Sequence, residues 1–356
     1  MTIQERTQAF VTLGVYLKQL ARNERNDAQF GQLNEQFFDQ GQTLFATAKI
    51  HNGWFTEANV RGAVGAIADM LDESKINQWI SAYIFDETHK VKKVGVIMAG
   101  NIPLVGFHDF LCVLMSGQHV LVKLSSDDKY LLPFVANVLI SIEPKFKTYL
   151  EFTETRVEKC DAVIATGSGN TSRYFEYYFG KIPHIIRKNR SSVAVLKGHE
   201  SQADLKLLGE DIFSYFGLGC RNVSKLFIPD GFDLNTFFNA IYDYKDIINH
   251  NKYANNFDYN RAVYLMGKDT GSLLENGFLF LVKSNDYASP VAVLFYEYYN
   301  DFSQLADRLK ADEAQLQCIV SAIPELANSI PFGKAQKPEL GDYSDNIDTM
   351  DFLQKL

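Results

Sequence analysis

Residues 92–125 read KKVGVIMAGNIPLVGFHDFLCVLMSGQHVLVKLS. A short apolar run leads to Gly100 and Asn101, and Pro103 follows where a helix can begin. The apolar stretch to Met115 carries that helix, and HVLVKLS starts a second strand. The pattern continues: KYLLPFVANVLISI predicts a helix, DAVIATGSG a strand, NTSRYFEYYFG a helix, and HIIRKN and SSVAVLKG paired strands. Such alternation is the mark of βαβ units, so the fold class is α/β, with a parallel sheet of nucleotide-binding type.

Working outward, the segment up to about residue 88 is helical, because RTQAFVTLGVYLKQLARN and NVRGAVGAIADMLDESKINQWISAYI repeat apolar residues at three and four. On the other side, SQADLKLLGEDIFSYFG predicts a helix that closes on Gly217 and Gly219, and VSKLFIP predicts a strand. A helix in DLNTFFNAIYDY and α/β material through SPVAVLFYEYY and FSQLADRLKAD complete a second α/β domain. The expected division is therefore 1–197, a helical N-terminal region with a dinucleotide-binding domain, and 198–329, a catalytic domain. Residues 330–356 have turn chemistry without a period, and are expected to pack on the first domain or on another subunit.

With 356 residues, 46% apolar and 22% charged, the chain can bury about two cores and is globular rather than disordered. Its net charge of -8, without a long Lys/Arg stripe, argues against nucleic acid as a partner. The 27 Phe and 18 Tyr supply apolar area for cores and for a pocket that takes an acyl chain. Cys112, Cys160, Cys220 and Cys318 are widely spaced with no C-x-x-C pair, so neither a zinc site nor a disulfide framework is expected. His184, His199 and His250 have no metal-ligand spacing. No stretch approaches the roughly 20 apolar residues of a membrane span, and MTIQERTQAF has no apolar leader core. A reducing, cytoplasmic setting is the expectation.

Four stretches can carry chemistry. Cys220 lies on the turn between a predicted helix and a predicted strand, where a thiol is a nucleophile or a small buried hydrophobe. Asn101, at the mouth of the sheet, can donate to a developing oxyanion or simply shape a turn. Lys123, at a strand end, can meet a ribose hydroxyl or phosphate, or be a solvated lysine. Gly167, Ser168 and Gly169 lead from strand to helix, as suits a pyrophosphate, although the spacing is not G-x-G-x-x-G.

The order of these stretches, strand-Asn-x-Pro, strand-Lys-x-Ser, strand-Thr-Gly-Ser-helix and then GLGC, resembles the aldehyde dehydrogenase superfamily. Within it, the chain is most similar to the acyl-CoA reductase branch, which includes the fatty-acid reductases of bacterial luminescence. The likeness runs from about residue 90 to PFGKAQKPELGDY near the end. It implies an aldehyde-dehydrogenase-like fold, with a Rossmann-type cofactor domain and a catalytic domain, in a homo-oligomer. It further implies that Cys220 forms an acyl thioester, and that Asn101 and the Cys220 amide hold the oxyanion. Lys123 and Ser125 match the ribose motif, Gly167 and Ser168 lie beside the pyrophosphate, and Ser289 and Pro290 are near the nicotinamide.

Two departures from the hydrolytic members direct the expected reaction. HIIRKNRSS puts Ile186 where those enzymes have a glutamate, so a general base to activate water is missing and a thioester is protected from hydrolysis. Ser126 replaces an acidic residue that would repel a 2′-phosphate, which favours NADPH over NADH. The expected function is NADPH-dependent reduction of a fatty acyl-CoA, or of an acyl-carrier thioester, to an aldehyde. An acyl-transferring protein is a candidate partner. Acyl transfer without hydride, or nucleotide binding without turnover, are the alternatives. Arg187, Lys188, Arg190 and Arg221 are candidate cations for cofactor or CoA phosphates. His108 is two turns beyond Asn101, either near the site or structural; Cys112 and Cys160 are expected in apolar element interiors, and Cys318, in AQLQCIVSAI, on a helix.

Overall fold

The structure is a computed structural model that describes residues 1–86, 88–167, 169–266 and 273–356. Two compact units are present: Met1–Lys188 with Pro338–Leu356, and Asn189–Lys337.

The first unit opens with helices Ile3–Arg22, Asp27–Leu33, Asp39–His51, Glu57–Met70 and Glu73–Ile80. The first is started by a capping box, in which Thr2 accepts the Glu5 N–H at 3.2 Å and Glu5 accepts the Thr2 N–H at 2.9 Å. It ends at Asn23, in the left-handed region at φ 57°. Its buried face, Phe10, Leu13, Tyr16, Leu17 and Leu20, has the three-and-four spacing of the sequence and joins the main core of the unit.

The strands that follow are β1 Lys93–Ile97, β2 His119–Lys123, β3 Leu150–Thr153, β4 Ala162–Thr166 and β5 His184–Arg187. They form one sheet in the order β3-β2-β1-β4-β5, with every pair parallel. Central strands β1, β2 and β4 are apolar and buried, as a parallel sheet covered on both faces requires. Successive strands are added on one side of β1 as far as β3 and on the other side from β4, so a topological switch point lies between β1 and β4, where open parallel sheets generally bind ligands beyond the carboxyl ends of their strands. The segment Pro338–Leu356 belongs to this unit and ends in the helix Thr349–Gln354.

The second unit contains β6 Ser191–Val195, β7 Val223–Pro229, β8 Leu274–Glu275, β9 Phe280–Lys283, β10 Val293–Tyr299, β11 Leu316–Ser321 and β12 Ser329–Ile330. Their order is β12-β11-β6-β7-β10-β9-β8, parallel apart from the β8–β9 pair. Helices Gln202–Phe213, Leu234–Ala240, Asn251–Leu265 and Phe302–Ala311 accompany them.

Several expectations need correction. HIIRKN and SSVAVLKG do not pair, because β5 bonds to β4 while β6 bonds to β7 and β11 in the other sheet. The second unit accordingly begins at Asn189, ahead of β6, and not at 198. Cys318 is on strand β11 and not on a helix, since the β-branched run beside it pairs with β6. Cys160 is half-buried in the loop before β4, outside any element, whereas Cys112 is fully buried in the helix Phe107–Met115. That helix starts at Phe107 because Pro103 and Leu104 form a turn first, with Leu104 at φ 57°. Among the described residues, no helix is long and apolar enough to cross a membrane.

Candidate active site

The carboxyl ends of β1 and β4 carry MAGN and TG, and two glycines there are set by close approach. A Cβ on Gly100 would lie 2.5 Å from Ser125 Oγ, and one on Gly167 would lie 2.9 Å from Phe175 and 3.0 Å from Thr171. The first glycine lets the turn after β1 lie against the turn after β2; the second lets the helix Gly169–Phe179 start hard against β4. At both positions neighbouring side chains already fill the space that a Cβ would need. Ser168 lies outside the described residues.

Lys123 ends β2, in register with Ile97 of β1 and Thr153 of β3, which puts it at the same edge of the sheet. Ser125 accepts the Asp127 N–H at 3.2 Å, and the exposed Ser126 and Asp127 follow. Asn101 is exposed on the turn after β1. Beneath it, Asn52 donates to the carbonyls of Gly100 and Asp127, at 3.5 and 3.4 Å.

The turn is pinned from below by Asp128, a buried residue that no sequence signal singles out. Its Oδ2 accepts the Leu104 N–H at 2.8 Å, at the residue with positive φ. Burial pushes its carboxyl up to about 6, against the opposite pull of the Leu104 and Leu131 N–H groups. A raised carboxyl favours the protonated form in the folded state, so its stabilising effect is full below about pH 4 and is lost as pH rises through 6. Relative to wild type, Asp128→Asn is therefore expected to gain stability between pH 4.5 and 7.5, by on the order of 2 kcal/mol in urea unfolding. A difference that stays flat with pH would remove the titrating carboxyl from this turn.

The candidate cations have other employment. Arg187 is buried, ion-paired with Asp109, and donates to Thr349 Oγ1 at 2.9 Å. Burial opposes its charge, but Asp109 more than offsets this and raises its pKa. Arg187 is therefore a structural brace between β5, the helix Phe107–Met115 and the helix Thr349–Gln354, and not a phosphate ligand. Lys188 is exposed and pairs with Glu176 at 3.3 Å. Arg190 donates to the Glu313 and Leu316 carbonyls, and Arg221 to the Ala335 carbonyl at 2.5 Å. His108 is structural too: its Nε2 bonds the Leu340 carbonyl at 3.0 Å, and burial lowers its pKa.

In the second unit, Cys220 is exposed on the turn between the helix Gln202–Phe213 and β7. Ser192 Oγ donates to the Cys220 carbonyl at 2.8 Å. Asn222 is buried; its Oδ1 accepts the Gly219 N–H at 2.8 Å, and its Nδ2 donates to the carbonyls of Asp211 and Ser214 at 3.0 and 2.9 Å. Asp211 accepts the N–H groups of Gly333 and Ala335 at 2.7 and 2.9 Å, and burial pushes its carboxyl up to about 6. Residues 331–335 are thereby tied to the end of the helix that precedes the thiol. Ser289 donates to the Val293 carbonyl at 2.7 Å, which makes it a brace of the turn before β10. Ile186 is half-buried on β5, in register with Ala165, and brings no carboxylate to its position.

No protein-family model and no curated protein matches the chain. Solved structures do. Aldehyde dehydrogenase 21 from Physcomitrella patens, determined with the reaction product succinate, superimposes with a TM-score of 0.68 at 13% identity, over 100% of this chain and 84% of that one. The NAD-dependent aldehyde dehydrogenase of Sinorhizobium meliloti gives 0.63 at 15%, over 92% and 72%. An indole-3-acetaldehyde dehydrogenase complexed with NAD+ gives 0.63 at 12%, over 95% and 75%. This chain therefore has the aldehyde dehydrogenase fold.

Proposed function

We propose that this chain is an acyl-thioester reductase, which converts a fatty acyl-CoA or acyl-carrier thioester to an aldehyde through an acyl-Cys220 intermediate, with NADPH as cofactor. The observation that supports this most is an exposed thiol on a braced turn, in a chain with the aldehyde dehydrogenase fold, and the sequence resemblance adds Ile186 in place of the water-activating glutamate of the hydrolytic members.

In this reading the Cys220 thiolate attacks the carbonyl carbon of the acyl donor, forming a C–S bond. The bond to the CoA sulfur breaks, and CoA leaves as a thiol after taking a proton. Asn101 donates its side-chain amide to the carbonyl oxygen as negative charge develops. The cofactor, when bound, supplies the hydride that reduces the thioester carbonyl. Lys123, Ser125, Gly167 and Ser168 would hold it, and the place of Lys123 and Gly167 at the carboxyl ends of strands near the switch point supports this. Cys220 departs as the aldehyde forms, with its thiol restored by a proton. The neutral Ser126 suits a 2′-phosphate, and a direct comparison with NADH tests that preference against its neighbour Asp127.

Asn101→Ala is expected to lower kcat by about a hundredfold, because one oxyanion donor is lost. A change confined to KM would deny Asn101 that role. The reading as a whole is tested by following absorbance of the reduced cofactor with saturated acyl-CoA esters of several chain lengths. NADPH oxidation matched by aldehyde is expected. Release of CoA while the cofactor stays reduced would replace reduction with acyl transfer.

A further inference from the structure

We infer that Asn222 is a positioning residue for Cys220: it fixes the turn and the peptide plane that lead into the cysteine, while Ser192 holds the plane that follows, and together they set the direction of the thiol. The inference rests on the reading of Cys220 as the acylated nucleophile.

The chain enters the cysteine turn through three successive left-handed residues: Tyr215 at φ 52°, Phe216 at 61° and Gly217 at 76°. Two of these are aromatic and disfavour that conformation, so the surrounding structure must over-determine it. Asn222 supplies the constraint. Its Nδ2 donates to the carbonyls of Asp211, Ser214 and, more weakly at 3.4 Å, Ile212, which lie at the end of the helix where intrahelical partners run out. The orientation of the amide is unambiguous, because its oxygen must face the Gly219 N–H.

The same residue closes the turn from the other side. Its backbone N–H donates to the Gly219 carbonyl at 3.0 Å, and a trans peptide with its carbonyl held there turns the Cys220 N–H the opposite way. The next carbonyl, that of Cys220, is held by Ser192 Oγ. With both carbonyls tied, the φ and ψ of Cys220 are set, and with them the Cα–Cβ direction. Ser192 and Asn222 are 0% and 3% exposed, so these bonds form away from competing water.

Asn222→Asp tests this, since a carboxylate keeps the acceptor for Gly219 and cannot donate to the helix carbonyls. Two rates at Cys220 are read by intact mass and peptide mapping: acylation by palmitoyl-CoA without cofactor, and alkylation by iodoacetamide, which needs no oriented carbonyl. Asn222→Asp is expected to slow acylation about thirtyfold and to change alkylation less than threefold. Ser192→Ala, a milder change that guards against misfolding of the first variant, is expected to slow acylation three- to tenfold with alkylation again unchanged. Equal acylation in wild type and both variants overturns the positioning role and leaves the acyl-enzyme reading standing. Parallel changes in the two rates also overturn it, because they report general loosening of the turn. A wild type that alkylates at Cys220 but is not acylated removes the acyl-enzyme reading, and the inference with it.

Discussion

Cys220→Ala is expected to abolish acyl-CoA reduction, lowering kcat/KM by about a thousandfold or more, because no other group replaces a covalent nucleophile. Folding should be nearly untouched. The side chain is exposed, and the bond from Ser192 Oγ goes to the backbone carbonyl, which alanine retains. A surface change of this kind alters stability by about 0.5 kcal/mol or less. Cys220→Ser is expected to fail equally, since a hydroxyl is a poorer nucleophile and its oxygen ester is a poorer acyl donor to hydride. The assay pairs initial NADPH oxidation rates with urea unfolding of each variant. Activity within tenfold of wild type in the alanine variant would exclude the acyl-cysteine.

Arg187→Met is expected to have the largest effect on stability. Removing this partner leaves Asp109 charged and buried, at a cost of about 3–5 kcal/mol. The first unit should lose that amount in urea unfolding, because Arg187 also anchors Thr349. Replacing both partners, as Arg187→Met with Asp109→Leu, should recover most of the loss, since an apolar pair of similar volume leaves no charge stranded. The opposite outcome, unchanged stability with a Kd for NADPH weakened at least tenfold, would make Arg187 a cofactor ligand after all.

Much of the fold is legible because the covered strands are apolar and short. Runs such as VGVI, HVLVK and AVIAT leave little ambiguity when helices of the right length separate them. What sequence leaves open is which sheet each strand joins. HIIRKN and SSVAVLKG are neighbours in the chain with similar patterns, and only long-range pairing with β4 on one side and β7 on the other separates them. Cys318 shows the same limit, since its strand is defined by β6, more than a hundred residues earlier.

The candidate site is legible where the proposed chemistry uses an unusual residue type and obscure where a turn needs support. Asn101, Gly167 and Cys220 lie at element ends, which punctuation in the sequence marks. Asp128, Asp211 and Asn222 are ordinary polar residues whose role comes from burial beneath those turns. Of the three, Asn222 left a trace, because an Asn two residues after the cysteine in a Gly-rich turn is typical of side-chain bonding to nearby backbone. Arg187 illustrates the converse: a basic run suggests phosphates, yet its guanidinium is turned into the core by Asp109.

The most direct test of the acyl-enzyme is to incubate the protein with palmitoyl-CoA without cofactor, quench in acid, and measure intact mass. The expected result is one palmitoyl group per chain, mapped to Cys220, released by hydroxylamine as a thioester is, and discharged as an equal amount of aldehyde when NADPH is added before the quench. No adduct at Cys220, or an adduct that NADPH leaves in place, would contradict reduction through this cysteine.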